Sequence, residues 1–508
     1  AVQTILGDYE AQANERRLIR IKQLAELPAN QGLPWLCRLV RFEASPVLSK
    51  HAALAIMDQK LPPDKALWDE RVATITSHMA RSRRPAAAWL LSYVQAHDDP
   101  AAALATWSEL TQSEQRQLET HPQDTSSRIV TELLLGKVAL LDRLDRAEDT
   151  GGVMREMVLC ERGDAQSLGK LIDWLAQRKA WDVIDEVATR FAATIDLDAM
   201  LLYTLCEAQR MQRKDDLAEQ TADKALKLGG ENPVEHFQVA KQLLDRGLTE
   251  WSDRELNHVI ALGPAASPAA IQARLLQSDS LHDRLRDREA AERIKELMDV
   301  VDGDPNVQQQ VKLLLQQSDK SVDFLRARMF FYFACAAGEE GKIDEQRSFL
   351  DKAIVQEPAD LDVIIALHRL KDVEPERRQR IAALIKSVVD DCRDKMEEFP
   401  DDPVYYNELA WLVANTEGDA DDAIRLSHKS VELVRAEAAS DADFKRLGQY
   451  LDTLAHCYFA KRDYASAVKY QSEATKLDPH TRAIGRQLEV FRAALAAEQT
   501  ATEPAGKE

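Results

Sequence analysis

The stretch Leu451–Pro479, LDTLAHCYFAKRDYASAVKYQSEATKLDP, decides the fold of this chain. Its apolar spacing predicts two amphipathic helices joined by a tight turn. Small residues stand where the two helices must touch, at Ala455, Ala467 and Ala474, and Pro479 ends the second helix. A hairpin of this kind cannot bury its apolar face alone, so the stretch predicts neighbouring hairpins.

The composition favours an all-helical protein. The chain has 508 residues, too many for one compact core, which fits either several domains or a solenoid. Hydrophobic residues make up 45% and charged residues 30%, as expected for an ordinary soluble chain. Gly and Pro are sparse, and neither strand alternation nor an Asn-Gly hairpin signal is visible.

Similar patterns begin at Ala199, Pro233, Ala327 and Gly448. These hairpins resemble tetratricopeptide repeats, units of about 34 residues, most clearly at residues 199–266, 327–360 and 448–481. A weaker similarity to HEAT-type repeats covers residues 33–60, around LPWLCRLVRFEASPVLSKHAALAIM. The resemblance implies an all-α fold, a right-handed α-α superhelix, with an irregular helical region at its N-terminal end.

We predict five segments along the chain. They are an irregular helical-hairpin region (1–160), a tetratricopeptide-like array (165–300), further hairpins with a long helix from about Glu374 to Glu398 (301–402), a C-terminal repeat pair (403–481), and a capping helix at Ile484–Leu495 followed by a tail expected to be disordered from Thr500 (482–508).

Motifs for catalysis, metals or cofactors are not found. Phosphate loops, dinucleotide fingerprints, zinc helices and nucleophile elbows are missing from the sequence. His456 and Cys457 are adjacent on a helix and point about 100° apart, which does not suit a nucleophile and its base. The six cysteines are scattered, which predicts buried unpaired thiols, with disulfides in an oxidising compartment as the alternative. We therefore predict that the chain is no enzyme and has no cofactor and no metal.

The tetratricopeptide resemblance implies that the first helix of each hairpin faces a concave surface. The residues that it places there as a partner-binding set are Tyr203, Glu207, Phe237, Lys241, Phe331, Asn407, Trp411, Asp452, His456 and Phe459. Aromatic side chains in a groove are typical anchors for a bound peptide, and the alternative is that neighbouring repeats cover them as core. Asp452 and His456 stand where the family's carboxylate clamp would have Lys and Asn, which argues against recognition of chaperone tails.

The net charge of −20 is opposite to the field that nucleic-acid binding needs, and it favours basic protein or peptide partners. The predicted function is that of a protein–protein interaction scaffold or adaptor. Two alternatives stay open: a structural subunit of a larger assembly, and a non-catalytic regulatory subunit of an enzyme.

No run of about 18 apolar residues occurs, so we expect no membrane span. The sequence shows no signal peptide and begins with Ala-Val, which is compatible with a soluble protein in the cytoplasm or one exported after removal of a leader. Neither the compartment nor the oligomeric state is predicted.

Overall fold

The fold is all-α, as the sequence predicted. The structure, a computed structural model, describes residues 14–57, 65–96, 99–264, 267–316, 320–371, 373–437 and 441–502. These residues form 27 helices, and none of them lies in a strand. The end of the chain that we expected to be disordered falls largely outside the described residues.

The chain divides into two compact units, residues 1–228 and 229–508. The helices of the first unit are α1 (Asn14–Glu26), α2 (Ala29–Phe42), α3 (Pro46–Met57), α4 (Lys65–Met79), α5 (Pro85–Ala96), α6 (Pro100–Thr120), α7 (Ser127–Arg143), α8 (Ala147–Cys160), α9 (Ala165–Gln177), α10 (Trp181–Arg190), α11 (Ala192–Ile195), α12 (Ala199–Met211) and α13 (Asp215–Leu228).

The helices of the second unit are α14 (Pro233–Asp245), α15 (Thr249–Leu262), α16 (Pro268–Asp283), α17 (Asp287–Gly303), α18 (Pro305–Gln316), α19 (Val322–Glu339), α20 (Ile343–Gln356), α21 (Leu361–Arg369), α22 (Pro375–Glu398), α23 (Pro403–Asn415), α24 (Ala420–Glu437), α25 (Asp441–Ala460), α26 (Tyr464–Leu477) and α27 (Arg482–Thr502). The division between the units falls inside the segment predicted as 165–300, and the finer five-part division stays a prediction.

Successive helices pack as hairpins whose contact surfaces are made of small residues. In the hairpin of α25 and α26, Ala455, Ala467 and Ala474 are fully buried. The hairpin of α12 and α13 buries Ala218 and Ala222 in the same way. Because alanine side chains let two helices approach closely, these positions fix each hairpin, and the prediction of tetratricopeptide-like hairpins is confirmed.

The turns inside the hairpins share one backbone conformation. Asp145, Lys179, Arg213 and Gly247 have φ between 57° and 75° and follow one another at intervals of 34 residues. In each turn the amide of the next residue donates to the carbonyl five residues earlier, at 2.8–3.0 Å, which is the Schellman closure of a helix. The first of these turns joins α7 to α8, so the repeat extends into the segment 1–160 that the sequence predicted to be irregular.

Several first helices of the hairpins begin at residues that the periodicity predicted, and a side chain caps the N-terminus of each. The side chains of Asp198, Asn232 and Asp402 accept hydrogen bonds from backbone amides in the first turns of α12, α14 and α23. Pro233 and Pro403 occupy the first position of two of these helices, where a missing amide hydrogen costs nothing. These local signals place the first helices of the hairpins within the sequence.

Helix α18 interrupts the regular alternation of helices in the second unit. In the chain it follows α17 and precedes α19, and it buries Val307, Val311 and Leu315. We did not predict this helix. Because of α18, two successive turn residues at positive φ, Leu285 and Gly341, lie much further apart in the sequence than one repeat.

The end of the second unit returns to its beginning. The ring of His480, after α26, packs against Gly247 in the turn between α14 and α15, so closely that a Cβ on this glycine would lie 2.2 Å from Nδ1. Arg486 of α27 donates a hydrogen bond to Glu339 of α19 at 2.7 Å. The hairpins of this unit therefore curl around a common interior.

Candidate functional site: the inner face of the second unit

First helices of four hairpins bring side chains together on one face of the second unit, called here the inner face. Phe331 of α19, Asp362 of α21, Trp411 of α23 and His456 of α25 follow one another across it. The indole nitrogen of Trp411 donates to Asp362 Oδ1 at 3.1 Å, and the Trp411 and His456 rings are 4.8 Å apart. The inner face is thus continuous over these helices.

A cavity of about 600 Å³ opens on the inner face. Its lining comes from α19, α20, α21, the residues that follow α21, and α23: Phe331, Cys335, Ile343, Gln346, Arg347, Asp362, Ile365, Ala366, Arg369, Leu370, Lys371 and Trp411. Aromatic and aliphatic side chains form its walls, and charged groups lie among them. This combination is typical of sites that bind a ligand side chain.

Asp362 is the polar centre of the inner face. Its Oδ2 accepts a hydrogen bond from Arg328 Nη1 at 2.8 Å. Burial alone would raise the pKa of Asp362, but Arg328 outweighs burial and lowers this pKa, so the carboxylate stays charged at neutral pH. Burial also opposes charge on Arg328, yet Asp362 and Asp360 together raise the pKa of its guanidinium. The ion pair holds the Trp411 ring beside the cavity.

Three cations lie at the cavity: Arg347, Arg369 and Lys371. Arg369 donates to the side-chain oxygen of Asn415, and Arg347 donates to the carbonyl oxygen of Lys371 at 2.8 Å. Arg369 is exposed at the rim of the cavity, and the acceptor of its hydrogen bond, the Asn415 amide, is neutral.

Acidic side chains lie at the other end of the inner face, on α16. Asp279 is exposed, whereas Asp283 is half-buried and burial raises the pKa of its carboxyl. The Tyr332 hydroxyl donates to Asp279 Oδ1 at 3.4 Å, and the Tyr332 ring stacks on His282 with 4.3 Å between centroids. This end of the inner face is therefore lined by carboxyls, in contrast to the cations at the cavity.

The structure separates the predicted partner-binding residues. Phe331 and Trp411 come together at the cavity. Tyr203 and Glu207 belong to the first unit. Tyr203 is only 1% exposed, which corrects the expectation that it faces an open groove.

Asp452, His456 and Phe459 gather beneath helix α27. The Phe491 ring of α27 stacks on Phe459 at 4.5 Å and meets the edge of His456 at 5.2 Å. Asp452 accepts a hydrogen bond from Gln471 at 2.5 Å. The capping helix therefore covers this part of the predicted set, because the apolar face of α27 packs on it.

Three further predicted residues lie apart from the cavity lining. Phe237 is half-buried and packs near Ala240, whereas Lys241 is exposed to solvent. Asn407 is half-buried, and within the described residues its side-chain oxygen has no hydrogen-bond partner. Their role in binding stays a prediction.

The sequence prediction missed Asp362, Ile365 and Arg369, which are central to the inner face. All three lie on α21, a helix of nine residues. The same repeat frame, counted from Leu361, places them at its second, fifth and ninth positions, where the family points side chains into the groove. Extending the frame to this short helix would have found them.

All six cysteines are free thiols, as predicted. Burial raises the pKa of Cys37 and Cys457 to about 12 and that of Cys392 to about 11. These groups therefore stay protonated and inert at neutral pH. Within the described part of the chain, no group of three or more His, Cys, Asp or Glu residues is placed to hold a metal ion.

No family model and no curated protein sequence matches the chain. Solved structures match at low identity. The structure of the APC/C hetero-tetramer Cut9–Hcn1 contains a chain with 12% identity, covering 97% of this chain and 92% of that one, with a TM-score of 0.26. Yeast Tom70 has 14% identity over 87% of this chain and 94% of its own, with a TM-score of 0.25.

The tetratricopeptide domain of P58(IPK) is 11% identical and covers 85% of this chain and 99% of its own length, with a TM-score of 0.20. Scores of this size carry no argument about partners, and the fold is established by the helices and turns of the chain itself. Among the described residues, none of the helices combines the length and apolar character of a membrane span.

Proposed function

We propose that this chain is a protein-interaction scaffold and that the inner face of its second unit binds a linear segment of a partner protein. The cavity of about 600 Å³ supports this proposal most directly. It presents the side chains of Phe331, Ile365 and Trp411 beside charged groups that are held by hydrogen bonds. Aromatic side chains in pockets of this kind carry much of the binding energy in protein interfaces.

A non-catalytic role is part of the proposal. The lining residues include neither histidine nor serine, and their one thiol belongs to Cys335. Burial raises the pKa of Cys335, which keeps it protonated. Because no nucleophile and base meet at the cavity, the lining is suited to binding and not to chemistry.

The proposed partners are basic overall. The formal charge of −20 attracts positive chains over a distance, before any contact forms. On the inner face, Asp279 is exposed and burial raises the pKa of the half-buried Asp283, and a partner's lysine or arginine would favour the ionised form of both carboxyls.

Partner capture by the full chain tests the proposal. The wild-type chain is used as bait in native extract, bound proteins are identified by crosslinking and mass spectrometry, and capture is compared with Trp411→Ala. We expect at least a roughly 10-fold loss, since truncation of an aromatic hot spot costs about 2 kcal/mol or more.

Trp174→Ala is the matched control, because Trp174 is a half-buried tryptophan of α9 in the first unit. It should leave capture unchanged. If Trp411→Ala captures the same partners as strongly as wild type, the inner face is not the binding surface, and the chain contacts its partners through other helix faces, as a structural subunit would.

A further inference from the structure

The charges at the cavity are not balanced. Among its lining residues Asp362 is the one carboxylate, and it is already paired with Arg328. Arg369 and Lys371 have no carboxylate within 4.0 Å among the described residues. The cavity is therefore locally positive, although the chain as a whole is strongly negative.

Arg369 is the group that this imbalance affects most. Its guanidinium is always charged in proteins, and here its acceptor is the amide oxygen of Asn415. Arg369 is exposed at the rim of the cavity, and a carboxylate that reached it would form a charge-assisted hydrogen bond, stronger than the one that the neutral amide accepts. Lys371, two residues further along the chain, is exposed and free to turn toward the same charge.

We propose that the cavity recognises an acidic side chain within the partner segment. An apolar side chain of the partner lies against Ile365 and Trp411, and a neighbouring Asp or Glu carboxylate accepts hydrogen bonds from Arg369 and Lys371. This inference rests on the proposed function and specifies the chemistry of the partner at one point.

We place the carboxylate on a side chain of the partner and not at its C-terminus. Toward α16 the inner face stays open as far as Asp279, which is exposed, whereas toward α25 the capping helix α27 covers His456. A bound segment therefore extends from the cavity toward α16. The acidic end at α16 and the basic cavity then give the bound segment one direction.

The test is a selection from an mRNA-displayed library of random linear peptides, with the full chain as the target. Selected peptides are synthesised with free and with amidated C-termini, and their affinities are measured by fluorescence anisotropy. We expect enrichment of Asp or Glu next to an apolar residue, and no effect of amidation.

Arg369→Gln should weaken binding of these peptides about 10- to 100-fold, the range for loss of a hydrogen bond to a charged group. Lys371→Gln should also weaken binding. Because the Lys371 side chain is exposed and makes no hydrogen bond among the described residues, this variant should fold normally, so its loss of affinity cannot be attributed to misfolding. Arg380→Gln is the control, since it removes an equal charge from an exposed position on α22.

The outcomes separate the two proposals. Three results overturn the proposed acidic side chain and leave the proposed function in place, provided that the peptides require Trp411. The selected peptides contain no acidic residue, they bind Arg369→Gln as tightly as wild type, or they lose affinity when their C-termini are amidated. A selection that yields no binders, or only binders indifferent to Trp411→Ala, overturns the proposed function and this inference with it.

Discussion

At the scale of single residues, His456 shows how a side chain on the inner face has become part of the core. It lies between the rings of Trp411 and Phe491. Burial lowers the pKa of His456 below its usual 6.5, and Arg369 acts in the same direction, although Asp452 opposes them. The neutral ring is therefore the form that the folded chain favours.

This pKa gives stability a dependence on pH. Below pH 6.5 the unfolded chain takes up a proton at His456 before the folded chain does, so protonation favours unfolding. We expect the free energy of unfolding to fall as pH drops through 6.5, and to fall less in His456→Gln. Urea titrations on both sides of this pH measure the difference, and parallel curves for the two proteins would contradict the buried, neutral imidazole.

Gly247 offers a second test at this scale, because its positive φ and the close contact with His480 both favour glycine. Gly247 and Gly341 have φ of 75° and 74°, so alanine costs about 1 kcal/mol in either turn. A Cβ at Gly247 would also collide with His480, whereas nothing lies within 4 Å of one at Gly341. We expect Gly247→Ala to cost about 1 kcal/mol more than Gly341→Ala.

Chemical denaturation in the His480→Ala background checks the cause of this difference. If the extra cost comes from the His480 ring, the two glycine variants become equal once the ring is removed. An undiminished gap would mean that the last hairpin of the second unit does not reach the first.

At the scale of helices, close packing between α25 and α26 depends on small side chains. Ala467 is fully buried against α25, while Ala465 on the same helix is exposed. Ala467→Leu should lower the free energy of unfolding by about 1–3 kcal/mol, because added methylenes force the helices apart. Ala465→Leu is the matched control and should stay within about 0.5 kcal/mol of wild type in thermal or urea denaturation.

The helices also show what the sequence can and cannot predict. The frames at Ala199 and Pro233 gave the starts of α12 and α14 because capping, periodicity and small residues are all local signals. The hairpin of α7 and α8 was missed because Met154 and Met157 are buried in it, two repeat lengths before Ala222 and Ala225, so its small-residue signal is absent. Local patterns therefore predict hairpins well wherever small residues stand at the contact between the two helices.

The candidate site was less predictable because it depends on contacts between distant helices. Trp411 and Phe331 were placed on the inner face from the repeat alone, and the structure brings both to the cavity. The cover that Phe491 forms over Phe459 depends on how α27 folds back, which no local pattern encodes. The same holds for the ring of Tyr203, whose burial no local pattern predicted.

At the scale of the whole molecule, two electrostatic influences of opposite sign act over different distances. The net charge of −20 acts on a partner before contact, out to a Debye length of about 8 Å at physiological salt. The cations Arg369 and Lys371 act only on a group that has entered the cavity. The association rate should therefore depend on the total charge of the partner, and the dissociation rate should depend on the acidic side chain that binds in the cavity.

Stopped-flow measurements with a selected peptide, and with the same peptide carrying added lysines outside its anchor, separate the two influences. For a peptide of net negative charge, added salt should speed association, because it screens repulsion. For the lysine-extended peptide, added salt should slow association, by on the order of 10-fold for strong steering. Arg369→Gln should raise the dissociation rate of both peptides and leave both salt slopes unchanged. Equal salt slopes for the two peptides would show that the net charge does not steer binding, and the basic character proposed for the partners would then have no physical support.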